Sequence, residues 1–202
     1  MTPRFIARQL SRPEGFVGRV VARMMNRRNG RMNAFTVEQL NVRRSDRVLE
    51  IGFGGGVNLP VLITKAGFLA GIDPSQQMVQ QAEKRYADYI VHGRAAFHTG
   101  KVEELPFNGS LFAKVCTVNT IYFWTSLEAG LSEICRVLIP GGQAAIGFLP
   151  KEWMDRLGMP SDIFTPRTIA EVVAAAEKVG LGEVSVRRPK PSTAWSVVVA
   201  RR

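Results

Sequence analysis

Apolar and polar positions alternate along this chain in blocks. Short apolar runs at 46–51, 68–72, 94–98, 112–118 and 142–149 are each bounded by glycine, proline or polar residues, the pattern of strands buried on both faces. The longer stretches between them, 57–66, 75–87 and 126–138, predict helices. Strands that alternate with helices predict an α/β domain with a parallel sheet covered on both faces. Toward the C-terminus, 151–158 reads as a short helix or a loop. Residues 166–179 read as a helix begun by the Thr165-Pro166 start signal. Two closing strands are expected at 182–188 and 193–200. They flank Arg187-Arg188-Pro189-Lys190-Pro191, which predicts an antiparallel end to the sheet. No repeat, low-complexity tract or linker marks a second domain, so the expected organisation is a helical lid over 1–45 packed on one globular domain, 46–202.

The most informative chemistry lies where the first predicted strand ends. Val48-Leu49-Glu50-Ile51 runs into Gly52-Phe53-Gly54-Gly55-Gly56, as a buried strand does when it must turn sharply into a helix with its backbone close to a ligand. Ala70-Gly71-Ile72 then delivers Asp73 at the end of the second strand. Open α/β sheets bind ligands at that edge, and a carboxylate there can accept both hydroxyls of a ribose. The glycines at 52, 54 and 56 are spaced G-x-G-x-G, and Val57 stands where a dinucleotide fingerprint needs its third glycine. Glu50, two residues before the first glycine, would repel a pyrophosphate and suits a cationic ligand.

Three further segments follow in order: Thr99-Gly100-Lys101-Val102-Glu103-Glu104-Leu105-Pro106-Phe107, the buried run Val115 to Val118, and Leu131-Ser132-Glu133-Ile134-Cys135-Arg136-Val137-Leu138-Ile139-Pro140-Gly141-Gly142. With the E-x-G-x-G-x-G motif, they make residues 46–149 resemble the class I S-adenosylmethionine-dependent methyltransferases of the small-molecule type. The resemblance implies a Rossmann-like, seven-stranded, mostly parallel sheet with helices on both faces and an antiparallel C-terminal strand. It implies S-adenosylmethionine as cofactor and direct methyl transfer in line with the sulfonium. The residues it assigns to the cofactor are Glu50, Gly52, Phe53, Gly54, Gly56 and Asn58 around the first turn, and Asp73, Pro74, Ser75 and Met78 after the second strand. Lys101, Val102 and Glu103 are assigned to the adenine side, and Asn119 and Thr120 to the end of the fourth strand.

The chain departs from that pattern at three places. Lys101 replaces an adenine acceptor and is a donor only, which moves adenine recognition to the backbone of Val102 with packing from Met78 and Leu105. Ala113 replaces the aspartate common at the start of the fourth strand. Asn119-Thr120-Ile121-Tyr122-Phe123-Trp124 replaces the usual apolar and histidine run at its end.

The candidate substrate pocket is Tyr122, Phe123 and Trp124 after the fourth strand, with Phe148, Trp153 and Met154 after the fifth. The same aromatics also read as a core cap on the sheet. As a pocket they would suit a flat ring, an acyl chain or an amine held by cation-π contact. A neutral amine or thiolate acceptor needs no dedicated base, whereas a hydroxyl or carbon acceptor does. His92 and His98 both read as structural, so no catalytic residue is assigned.

Charge adds one more feature. Residues 1–47 hold eleven arginines against Glu14, Glu38 and Asp46, so +8 of the net +10 lies there. Arg19, Arg23 and Arg27 alternate with Phe16, Val17, Val20, Val21, Met24 and Met25, an amphipathic basic helix. It reads as a lid with a solvated face, as a peripheral contact with an anionic membrane, or as an RNA-binding surface, the last weakened by sparse aromatic-basic interleaving. With 46% hydrophobic residues, no bilayer-length apolar run and two cysteines that read as core, Cys116 and Cys135, the chain is expected in the cytoplasm or at the inner membrane surface. No metal-ligand spacing occurs. The partner expected is a small or lipid-like acceptor. A cofactor-binding or RNA-associated protein without turnover and a nicotinamide-dependent oxidoreductase stay open as alternatives. Val57 and the lack of a Tyr-x-x-x-Lys pair disfavour the oxidoreductase.

Overall fold

The structure, a computed structural model, describes residues 29–202; the basic stretch around Arg19, Arg23 and Arg27 lies outside them. Seven strands form one sheet: β1 (Arg47–Ile51), β2 (Phe68–Asp73), β3 (Ala95–Thr99), β4 (Phe112–Val118), β5 (Leu138–Phe148), β6 (Gly182–Arg187) and β7 (Ser196–Arg201). Their order is β3-β2-β1-β4-β5-β7-β6. The first five pair in parallel, and β7 runs antiparallel to both β5 and β6. The chain reverses its direction of travel across the sheet between β1 and β4, which opens a crevice at their carboxyl ends.

Strand side chains alternate between two cores. On one face Val48 and Leu69 pack under α1 (29–39), α2 (Leu59–Lys65) and α3 (Gln76–Arg85), together with Leu40, Leu62 and Val79. On the other, Leu49, Ile51, Ile72 and Phe148 pack under α5 (Leu127–Val137), α6 (Lys151–Arg156) and α7 (Ile169–Lys178). The α1 helix lies directly on β5. A Cβ at Gly147 would collide with the Thr36 hydroxyl and sit 3.5 Å from Met32 Cγ, so the absence of a side chain there is what lets the helix seat.

Three boundaries differ from the sequence reading, each for a physical reason. The predicted helix over 75–87 stops at Arg85 and a separate short helix, α4 (Ala87–Val91), follows. The break is at Tyr86, whose buried ring lies 5.8 Å from that of Phe97 and whose backbone leaves helical geometry. Strand β5 begins at Leu138 instead of 142, because Leu138 pairs with Phe112 ahead of a register shift that absorbs Pro140-Gly141-Gly142. Helix α7 starts at Ile169. Thr165-Pro166 is not its start: Thr168 caps it, accepting from the Glu171 amide, while the Glu171 carboxylate accepts from the Thr168 amide at 2.7 Å. Thr168→Ala is therefore expected to lower stability by about 1 kcal/mol, read as a drop in urea midpoint at unchanged slope.

Candidate functional site

The carboxyl ends of β1, β2 and β4 meet at the glycine turn. Gly52, Gly54 and Gly56 all have positive φ, at +67°, +50° and +71°. A Cβ on Gly52 would strike the Thr120 methyl, and one on Gly56 would come within 2.9 Å of Leu59 Cδ1. Gly54 faces open space. The turn is tied down on both sides: the Gly52 amide donates to Ile72 O at 2.7 Å, and the Thr117 hydroxyl, in short contact with that of Thr120, donates to Ile51 O at 3.0 Å. Backbone that bends back on itself with open space at its apex can approach a ligand closely.

Two carboxylates flank this turn on the same face of the sheet. Asp73 is buried and each of its oxygens holds one backbone amide, Oδ2 that of Gly54 at 2.7 Å and Oδ1 that of Ser75 at 2.9 Å. Each oxygen keeps a lone pair for a further donor. Burial raises its pKa against the pull of those two amides. Glu50 is 3% exposed. Its Oε1 accepts from Asn58 Nδ2 at 2.8 Å, and its Oε2 is buried without a hydrogen-bond partner among the described residues. Burial pushes the Glu50 carboxyl up to about 8, opposed by the Asn58 amide and reinforced by the Asp73 charge. A buried carboxylate oxygen with no donor is costly to leave unmade, so this position is built to receive either a proton or a cation.

The remaining expected cofactor residues lie around this centre. Phe53 and Met78 are buried on the Glu50 face, with Phe53 edge-on to Phe97 at 5.6 Å, and Pro74 is exposed beside Ser75. Lys101 is exposed and Val102 is buried, its Cγ1 and the Trp124 ring both close over Gly130. Met78 and Leu105 belong to the cores on opposite faces of the sheet. Glu103 accepts the Thr125 amide at 2.6 Å, which ties the segment after β3 to the start of α5.

The aromatic residues expected to line a substrate pocket divide into two groups. Tyr122 and Phe123 sit beyond β4 and gather Phe164, with Phe123 and Phe164 centroids 5.0 Å apart. Phe123 and Leu149 are half-buried. The Tyr122 hydroxyl donates to Asn119 Oδ1 at 3.0 Å and accepts the Leu149 amide, clamping the ends of β4 and β5 together. Burial holds its proton on well above the ordinary tyrosine value. Asn119 supports this clamp with a left-handed backbone, φ +58°. Trp124, Met154 and Phe148 are core residues, and Trp153 lies outside on α6 with the Arg156 guanidinium 4.7 Å over its ring. His98 packs edge-on against Phe107, and His92 bonds to Asp88 O on the surface.

Two participants carry no sequence signal: Phe164 comes from the loop before α7, and Asn33 comes from α1. Among the described residues no group of histidine, cysteine, aspartate or glutamate could hold a metal, and no helix is long and apolar enough to cross a membrane.

Comparison with known proteins adds to this geometry. A family profile described as a methyltransferase domain matches residues 48–142. The uncharacterized methyltransferase YdaC of Bacillus subtilis (strain 168) is 34% identical over 131 residues, 64% of this chain and 70% of that protein. The ubiquinone/menaquinone biosynthesis C-methyltransferase UbiE of Azotobacter vinelandii is 29% identical over 134 residues, 65% of this chain and 53% of that protein, so the match spans about half of the relative's length. In fold, the chain matches geranyl diphosphate C-methyltransferase from Streptomyces coelicolor A3(2), solved with Mg2+, geranyl diphosphate and S-adenosyl-L-homocysteine. That match has a TM-score of 0.71 and covers 96% of this chain and 87% of the other, at 13% identity.

Proposed function

This chain belongs to the class I S-adenosylmethionine-dependent methyltransferases, and on that premise we propose that it methylates a small or lipid-like acceptor presented at the carboxyl ends of β4 and β5. The observation that carries the reading is the buried Oε2 of Glu50, without a hydrogen-bond partner among the described residues, beside the positive-φ glycines. The residues present fit the cofactor. The open face at Gly54 admits close backbone approach, the lone pairs of Asp73 suit ribose hydroxyls, and Glu50 offers a negative oxygen to a cationic head.

When bound, S-adenosylmethionine supplies an electrophilic methyl group on a sulfonium. What the chain supplies is position and dryness. Glu50 and Asp73 orient, and the apolar walls exclude water. Phe123 and Leu149, both half-buried, form with the buried ring of Phe164 an apolar border on the acceptor side, which supports a flat ring or an isoprenoid or acyl chain. The names of two similar proteins, a ubiquinone/menaquinone biosynthesis C-methyltransferase and a geranyl diphosphate C-methyltransferase, agree with that border. Tyr122 is a clamp and not a base, because its hydroxyl is already engaged on both sides.

Incubation of the purified protein with methyl-labelled S-adenosylmethionine and an extract of small molecules, with the organic and aqueous phases counted separately, tests the reading. Label entering an organic-soluble acceptor supports it; label that stays on the cofactor under all conditions rules it out. Lys101 gives a sharper check. Its side chain is exposed, which supports adenine recognition through the backbone of Val102, so Lys101→Ala is expected to change S-adenosylhomocysteine affinity by no more than about twofold, within the range of surface substitutions. A large loss measured by calorimetry would make Lys101 a direct contact.

A further inference from the structure

A three-residue chain of buried side chains connects α1 to the cofactor turn. Asn33, on α1, is 7% exposed, Asn58 is 4% exposed and Glu50 is 3% exposed. Asn58 Nδ2 spends both of its protons, one on Glu50 Oε1 at 2.8 Å and the other on Asn33 Oδ1 at 3.0 Å. Asn33 is held in turn, because its own Nδ2 donates to Asn29 O at 3.0 Å, one helical turn back. Asn33 lies outside the matched methyltransferase segment, residues 48–142.

These bonds have a direction. A primary amide can face a carboxyl group with its NH2, which favours the charged carboxylate, or with its oxygen, which requires the carboxyl to keep its proton. With its NH2 committed to Asn29 O, Asn33 can offer Asn58 only an acceptor. Asn58 must therefore point its NH2 toward Asn33, and the geminal proton of that same nitrogen goes to Glu50. The orientation chosen on α1 is thus transmitted across two hydrogen bonds to the oxygen beside the orphaned Oε2.

We infer that Asn33 is a positioning residue of the cofactor site: by fixing the Asn58 amide with its NH2 toward Glu50 it favours the charged form of that carboxyl, the form that receives the cationic head of the cofactor. The inference rests on the assignment of Glu50 to the cofactor. Among the described residues, the ionisable groups that act on Glu50 give it no opposite charge: Asp73 from β2, the Cys116 thiol from β4, and the Tyr86 phenol at the end of α3. The charged residues of α1, Arg31 and Glu38, are exposed and bring no compensating cation into this cluster. Among the described residues, the amide relay is therefore what supports the carboxylate from the α1 side.

The test is the pH dependence of S-adenosylhomocysteine binding, measured by calorimetry on the full chain for the wild type, Asn33→Leu, Glu50→Gln and the double variant. Leucine fills the volume of Asn33 without its acceptor; Asn33→Ala serves the same purpose if the larger residue prevents folding. The expected result is a loss of roughly tenfold in affinity at pH 7, the worth of one hydrogen bond to a charged group, with the midpoint of the binding profile moved to higher pH. In the Glu50→Gln background the same substitution should change affinity by less than about twofold, since the carboxylate on which it acts is gone. An Asn33 variant that melts earlier yet binds with the wild-type profile overturns the inference, as does an equal loss with and without Glu50. A wild type that binds no S-adenosylhomocysteine at any pH overturns instead the cofactor assignment beneath it.

Discussion

Glu50→Gln is expected to stabilise the ligand-free protein at pH 8 by roughly 3–5 kcal/mol while lowering cofactor affinity at least about tenfold. The first half follows from proton linkage. The Glu50 carboxyl titrates at about 8 in the folded chain, against an ordinary value of 4.5, because burial disfavours its charge. Between those two values the folded state holds a proton that the unfolded chain has released, so stability falls as pH rises, by about 1.4 kcal/mol per unit. Below the lower value both states are protonated and the residue costs nothing. Above the upper value both are ionised and the penalty is complete. Glutamine does not titrate, and its slope in this window should be flatter by that amount. Asp73 is shifted in the same direction and contributes a residual slope common to both proteins, so the difference between them isolates Glu50. Urea midpoints from pH 5 to 9 measure it, and parallel curves for the two proteins would show that Glu50 is not a buried titrating group.

Asp73→Ala is expected to be more damaging to binding, by on the order of a hundredfold or more. The carboxylate has two occupations, holding the amides of Gly54 and Ser75 and presenting its remaining lone pairs to the ribose. Hydrogen bonds to a charged group are worth about 1.5–3 kcal/mol each, so alanine removes a ligand contact and also releases the turn that shapes the site. The two losses separate by measurement. Calorimetry with S-adenosylhomocysteine reports their sum, and the urea midpoint without ligand reports the turn alone. Wild-type affinity in Asp73→Ala would mean that the ribose is held elsewhere.

Much of this site could be read from the sequence because it is local. A strand of five residues, a glycine turn and a carboxylate at the next strand end are contiguous patterns, and the geometry places Glu50, Gly52, Gly54, Gly56 and Asp73 together as the spacing requires. The antiparallel β7 was legible for the same reason. What escaped depends on contacts between distant segments. Trp153 and Phe148 share a strand-end neighbourhood in the sequence, yet the turn of α6 sends one to the surface under Arg156 and the other lies in the core. Tyr86 breaks a helix that local periodicity would have continued, because Phe97 on β3 offers its ring a place to stack. Nothing in the residues around Asn33 announces a role; its partner is twenty-five positions away.

The seating of α1 on Gly147 bears on how the catalytic domain is delimited. A boundary drawn at 48, where the family profile begins, would discard Met32, Val37 and Leu40, all buried, and would strip the cover from Gly147 and its neighbours on β5. Such a truncation would leave an uncovered apolar groove beside Asn58 and Glu50, a surface suited to self-association. A shortened protein that precipitates, or stays soluble without binding cofactor, would then reflect a cut through the core and not a missing regulatory appendage.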